Sequence, residues 1–341
     1  MSTMYGADVA ELRALAARFD QVAGQLDDTR KAVAYAIQIS AWVGPFAASF
    51  RLRWDSELSI KVGNAGRSLA AAAHQLRSNA NDQDRVSAAT DPDPRPSAHS
   101  GKYVPAPAIT LTDRDLKADQ IYQGAIGDCW FVASLAAVVE RDPDFIRRHM
   151  HQNGDGSWTV TMYGEDGKPI QYTVAATVVE HGARGPGGSP NWVSIYEKAA
   201  ADHFGDGYED IETDFPDRAL RAILGVPSDR VQRPSLSDIR TMLNDGPVVL
   251  ASEMKDKPQG FLWFSPEDAD DAIADRRIVP GHAYMVDQVK KIDGEWKIHV
   301  VNPWGPDGGT NGKVGDLWLN EKEYRENFNE AFTADMNRGM L

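Results

Sequence analysis

QGAIGDCWF, residues 123–131, contains the only cysteine in a chain of 341 residues. Cys129 follows Gly124, Gly127 and Asp128 and opens the apolar run CWFVASLAAVV (129–139), the pattern of a buried helix entered from a glycine loop. At the first turn of a helix, free backbone N–H groups and the positive end of the macrodipole favour a thiolate over a thiol. The glycines let the backbone turn sharply and admit a substrate carbonyl. These local features leave two readings open: a nucleophile, or a half-buried cysteine that caps a helix.

Downstream, strand patterns lie near 157–163 and 170–176, a helix over 191–204, and short helices near 217–224 and 235–244. A strand follows near 247–253, then two near 282–289 and 295–301, and a last one at 316–319 before a helix begun by Asn320. This is an α+β unit from about residue 110 onward. Upstream, residues 89–109 are rich in proline, serine and small side chains with nothing periodic to bury, which reads as a linker. Before the linker, an apolar seam from Val9 to Ile37, polar only at Arg30, and a second from Phe46 to Leu76 flank the break SAWVGP. Two long helices with one tight connection make an all-α antiparallel hairpin over 1–88.

A thiol nucleophile needs a base, and there are eight histidines. His74 and His99 fall in the hairpin and the linker, and His149, His151, His181 and His203 read as surface residues. His282 and His299 lie on the two adjacent strands. A hairpin centred near Ile292 sets residue 302, an asparagine, across from His282 and turns His299 to the other face. Cys129, His282 and Asn302 then form a thiol-protease set: nucleophile, general base and acid, and the amide that orients the imidazole. Gln123 can aim its side-chain NH₂ at the oxyanion position beside the Cys129 N–H, or it can be an amide that merely stabilises the loop.

Composition narrows the rest. One cysteine excludes an intramolecular disulfide framework and a cysteine-rich zinc site. Residues 1–100 carry 11 basic and 11 acidic side chains, whereas those from 101 onward carry 25 and 39, so nucleic acid is not the expected partner of the second part. No apolar run is long enough to span a bilayer, and MSTMYGADVAELRALAARF lacks the pattern of a cleavable signal peptide.

QGAIGDCWF (123–131), GHAYMV (281–286) and NPWG (302–305) resemble the three catalytic motifs of the calpain family, and IYEKAAADHFGDGYE (195–209) and GDLWLNEKEYRENF (315–328) resemble further family segments. The resemblance spans about 110–333. It implies a papain-like cysteine protease core in two subdomains, a Cys half at 110–228 and a His/Asn half at 229–341, with protein substrates cleaved in the cleft between them. It also implies that Trp304 shields the His282–Asn302 pair from water. Animal calpains assemble this cleft on binding calcium, and one calcium ligand is an acid three positions before the motif glutamine. Gln120 stands there, with Asp119 one position away, so obligatory calcium is not expected and no metal ligand or other cofactor is assigned.

The hairpin, with Trp42, Val43 and Gly44 at its turn, resembles the WxG family of helical-hairpin proteins exported by type VII secretion. The family's tyrosine-based export signal after the second helix has no counterpart in LRSNANDQDRVSA. The expectation is a bacterial-type, calpain-like cysteine endopeptidase behind a WxG-like hairpin that docks a partner or the secretion machinery. It would be secreted by a route other than the general one, or be cytoplasmic. The rival expectations are a protease restricted to itself or to very few targets, and a silent core whose hairpin is the working part.

Overall fold

A computed structural model describes residues 9–87, 93–106, 108–253, 275, 277–305 and 315–339. By its contacts the chain divides into two units, 1–91 and 92–341.

In the first unit, α1 (Val9–Ile39) ends before Gly44, whose φ of 108° reverses the chain. Pro45 then starts α2 (Pro45–Arg53), which runs through one π turn at Trp54–Leu58 into α3 (Ser59–Ser87). The helices α1 and α3 run in opposite directions. Asp20 pairs with Arg77, while Ala23 and Leu26 face Gly66 and Arg30 faces Gly63, so positions later in α1 meet positions earlier in α3. Their shared seam buries Ala16, Ala73 and Ala80, small side chains that let the helices approach closely but bury little apolar area. Arg51 Nη2 donates to the Trp42 carbonyl at 2.9 Å and the Trp42 and Phe50 rings lie 5.8 Å apart, which braces the turn. Val43 and Phe46 beside it are each 83% exposed.

The second unit begins with β1 (Tyr103–Pro105), followed by α4 (Cys129–Arg141) and α5 (Pro143–His149). Four strands follow: β2 (Met150–Gln152), β3 (Trp158–Tyr163), β4 (Pro169–Val174) and β5 (Thr177–Val179). Next come α6 (Trp192–Phe204), α7 (Pro216–Leu224), β6 (Ser228–Gln232), α8 (Leu236–Asp245) and β7 (Val248–Ser252). The chain closes with β8 (Ala283–Ile292), β9 (Glu295–Val301), β10 (Asp316–Asn320), α9 (Glu321–Asn327) and β11 (Phe328–Ala334). Capping boxes at Asn191, Ser235 and Asn320 start α6, α8 and α9, and Gly225 in the left-handed region ends α7.

The largest sheet has the order β10-β9-β8-β7-β11-β6, every pair antiparallel. Its strands alternate between two cores. Val249, Ala283, Met285 and Phe332 join the core of α4 and α7, while Val248, Leu250, Tyr284, Val286 and Ala331 join that of α8 and α9. The first core continues into the β2-β3-β4 sheet and α6. Helix α4 is buried from Trp130 to Val139 and packs on β8 and β7, the central strands of the large sheet, so its first residue sits near the start of β8.

Two expectations change here. The linker expected at 89–109 is, from residue 93 to 106, a strap fastened to the second unit. β1 pairs with β5, Ala106 N–H donates to Ala176 O, and Tyr103 Oη donates to Pro94 O. Lys198 Nζ, fully buried, pairs with Asp93 at 2.6 Å and donates to Ala175 O, Thr177 O and Thr177 Oγ1. The strap is held by specific polar contacts and prolines, which leave no periodicity in sequence. The hairpin of β8 and β9 turns not at Ile292 but at Asp293–Gly294, both at positive φ (53° and 85°), the two-residue turn that matches strand twist. A register shift between Val286 and Gln288 follows, and His282 and Asn302 lie just outside the paired ladder.

The Lys198 ammonium is the most committed buried charge of the strap. Lys198→Ala is expected to destabilise the second unit by about 3 kcal/mol, and Asp93→Asn, which leaves the other Lys198 bonds, by about 1 kcal/mol. Urea unfolding midpoints check the difference.

Candidate active site

The loop carrying Cys129 is clamped from four directions. Gly124 lies so close to residues 181–182 that an added Cβ would stand 1.9 Å from His181 O, and Ala125 N–H donates to that carbonyl at 2.7 Å. Tyr122 and Arg184 exchange two backbone hydrogen bonds of 2.8 Å each. Thr213, at φ 69°, holds Gly127 O through its N–H at 3.0 Å, and Trp130 Nε1 donates to Ile211 O. A β-branched residue in that backbone region is strained, and the clamp on the loop is what it holds in place. Gln123 N–H donates to Pro303 O at 2.7 Å, which ties the cysteine loop to the residue after Asn302.

His282 and Asn302 meet as paired side chains. His282 Nε2 lies 2.9 Å from Asn302 Oδ1, and Trp304 N–H donates to the same oxygen at 3.1 Å. Two donors on one atom identify it as the amide oxygen, so Nε2 carries the hydrogen and Nδ1 is left with a lone pair. The Trp304 ring lies 4.9 Å from the imidazole and Tyr284 meets it edge-on at 5.1 Å. Ser252, which sequence reasoning passed over within PVVLASE, accepts the His282 backbone N–H at 2.9 Å and donates to Val279 O. His299 occupies the opposite face, between Asp287 and Asp316 and stacked on Trp318. His203, read as a surface residue, is instead buried with its Nδ1 3.0 Å from Tyr172 Oη.

Cys129 is half-buried, and the Ala283 amide, next in chain to His282, faces its sulfur. Burial pushes the thiol up to about 11, with the Asp128 carboxyl adding to the rise and the amides of Ala283, Trp130 and Cys129 opposing it. Burial also pushes His282 down to about 4 against the raising effect of Asn302. Both shifts run toward the neutral form of the group. Helix-terminus stabilisation of a thiolate, expected from sequence, is outweighed by desolvation.

Gln123 turns its amide into the loop. Its Nε2 donates to Ile126 O at 2.7 Å and to Asp128 Oδ1 at 3.1 Å, which uses both amide hydrogens within the loop. Gln123 Oε1 is buried with no partner among the described residues. In this conformation both Gln123 amide hydrogens are engaged within the loop, and the Cys129 N–H stands at the start of α4.

At the position where a calcium-binding acid is implied, Gln120 donates its side-chain amide to Asp119 Oδ1 at 2.9 Å. A neutral amide that occupies its acidic neighbour does not fit a carboxylate-rich calcium site. Among the described residues no group of three or more His, Cys, Asp or Glu side chains could hold a metal.

Residues 95–337 match the sequence model of the calpain family cysteine proteases. A calpain-type cysteine protease DEK1 of Zea mays is 31% identical over 224 residues, 60% of this chain and 10% of that protein. Calpain clp-4 of Caenorhabditis elegans is 26% identical over 244 residues, 63% of this chain and 31% of its own length. The chain thus spans a tenth to a third of these relatives. A crystal structure of PepW from Lactobacillus rhamnosis covers 54% of this chain and 42% of its own, at 10% identity and a TM-score of 0.21, too distant to support an argument.

The depressed His282 value has a consequence for folding. An unfolded imidazole titrates near 6.5 and the folded one near about 4, so between these values the unfolded chain binds the extra proton. Stability is lost as pH falls through that window, by up to about 3 kcal/mol. His282→Gln is expected to lack this component, which urea unfolding at about pH 7 and pH 4.5 would measure.

Proposed function

Because the chain belongs to the calpain family of cysteine proteases, we propose that it is an endopeptidase that cuts protein substrates with Cys129, His282 and Asn302. The observation that carries this reading is the His282–Asn302 hydrogen bond of 2.9 Å, with the amide of Ala283, next in chain to His282, against the sulfur of Cys129. Substrate would lie in a papain-like cleft between the Cys129 loop and the His282–Asn302 side.

In the first step Cys129 Sγ bonds to the scissile carbonyl carbon, its proton passes to His282 Nδ1, and the carbonyl π pair moves to oxygen. The Cys129 N–H meets that oxyanion. Collapse breaks the C–N bond and His282 gives its proton to the departing amine. Water then attacks the thioester with His282 as base, releasing the acid and restoring the thiol. Asn302 Oδ1 keeps Nδ1 as the basic nitrogen throughout, and Trp304 covers the pair. Gln123 joins as a second oxyanion donor if substrate turns its NH₂ out of the loop. Since Gln120 replaces the implied calcium-binding acid, turnover proceeds without obligatory calcium.

The exposed Trp42, Val43 and Phe46 at the turn of the first unit favour an interaction role for the helical hairpin, by its resemblance a docking or type VII secretion module. No described helix is long and apolar enough to cross a membrane. Self-cleavage inside 93–106 is disfavoured, because the strap is paired and would have to detach before it could enter a cleft. A silent core is disfavoured because every chemical position of the triad is filled.

Incubation of the protein with an unfolded protein substrate, with calcium or with a chelator, tests the proposal. Cleavage is expected in both conditions, absent in Cys129→Ala and reduced by about 100-fold in Asn302→Ala. Equal cleavage by wild type and Cys129→Ala would sink the protease reading, and cleavage only with calcium would overturn the Gln120 argument. For the hairpin, export is compared with and without residues 1–88, and unchanged export would remove the secretion role.

A further inference from the structure

Behind the nucleophile lies a buried group that the proposed chemistry does not use. Asp128 and Glu197 are both fully buried and their carboxyls lie within hydrogen-bond reach of each other. Each has one satisfied oxygen: Asp128 Oδ1 accepts from Gln123 Nε2 at 3.1 Å, and Glu197 Oε1 accepts from Ala183 N–H at 2.8 Å. Each also has one buried oxygen without a donor among the described residues, Asp128 Oδ2 and Glu197 Oε2. Asp128 is the N-cap residue of α4, yet its side chain makes no cap hydrogen bond. It thereby forgoes a stabilising cap contact and faces Glu197 instead. Gly182 leaves room for this arrangement, since a Cβ there would stand 2.3 Å from Glu197 Oε2.

We infer that Asp128 and Glu197 share one proton, and that this proton positions Gln123 and the first turn of α4 for catalysis by Cys129. A single O–H···O bond gives both orphaned oxygens a partner, whereas two carboxylates in a dry site would repel at full strength. Desolvation acts in the same direction, raising Asp128 to about 7 and Glu197 well above its ordinary value. The other groups facing the pair are Arg184 beside Glu197, Glu212 with its His99 partner toward Asp128, the Cys129 thiol, and the hydroxyls of Tyr103 and Tyr208. Arg184 is the one cation among them. With the proton in place, Asp128 Oδ1 remains free to hold the Gln123 amide. Without it, the cysteine loop and α6 push apart.

The inference rests on Cys129 being the nucleophile only for its kinetic part, so the test has two arms. Infrared difference spectra between about pH 6 and pH 10 should show a protonated-carboxyl stretch in the wild type that disappears in Glu197→Gln, whose NH₂ donates to Asp128 without titrating. This arm needs no peptidase activity. Because raised carboxyl values make the folded chain bind the extra proton, wild-type stability falls as pH rises through them, and Glu197→Gln should gain on the wild type over that range. In the kinetic arm, Glu197→Ala should lower kcat by about tenfold or more with KM within about threefold. Glu197→Gln, nearly isosteric, should restore most of kcat and flatten the alkaline limb of its pH profile. A carboxyl band that persists in Glu197→Gln overturns the shared proton. An equal kcat loss in both variants, or a pH profile that Glu197→Gln leaves unchanged, overturns the positioning role. A melting temperature raised by calcium in the wild type but not in Glu197→Gln would assign the orphaned oxygens to a cation and overturn the inference.

Discussion

The packing of α4 across β7 and β8 is the constraint on which the second unit depends. Ten consecutive residues of that helix, Trp130 to Val139, are buried, so its axis is set by contact on every side. Burial fixes the position of the first residue as well. Cys129 therefore sits at the start of the central strand β8, beside Ala283, because a hydrophobic helix has one way to fit, and the candidate nucleophile takes its place from the core. The loop before it has to reach that point from a short distance, and for this Gly124 has no Cβ to spare and Thr213 accepts a strained backbone.

The same burial sets the electrostatics. A thiol, an imidazole and two carboxyls are drawn into a region where charge is costly, and each shifts toward its neutral form. The polar contacts that remain are directional and few. Asn302 Oδ1 serves both His282 and Trp304, and Ser252 serves the His282 backbone, so His282 is held by two segments that are remote from it and from each other in the chain.

Much of the fold was legible because the local signals agreed. Asn320 announced a helix by its cap, apolar periodicity announced the helices over 191–204 and 235–244, and the alternating strands at 282–289 and 295–301 announced a hairpin. The partner of His282 was found despite a wrong turn centre, since Asp293–Gly294 moves the register while the bulge beyond Val286 compensates in part. The strap at 93–106 was not legible, because its hold on the second unit comes from Lys198 and β5, far along the chain. Short elements such as β6 and β11 were missed as well; they owe their pairing to each other and to β7 rather than to a local pattern.

By itself the sequence determined which reactive atoms the molecule has and in what order: one thiol behind two glycines, a histidine at the head of a strand, an asparagine after its partner strand. Those are properties of residue type and spacing. Only the tertiary structure decided that Gln123 turns its amide inward, that the thiol stays protonated, and that Asp128 faces Glu197 instead of capping its helix. Each of these depends on the loss of water and on atoms brought together from distant parts of the chain, and neither is written in any local stretch.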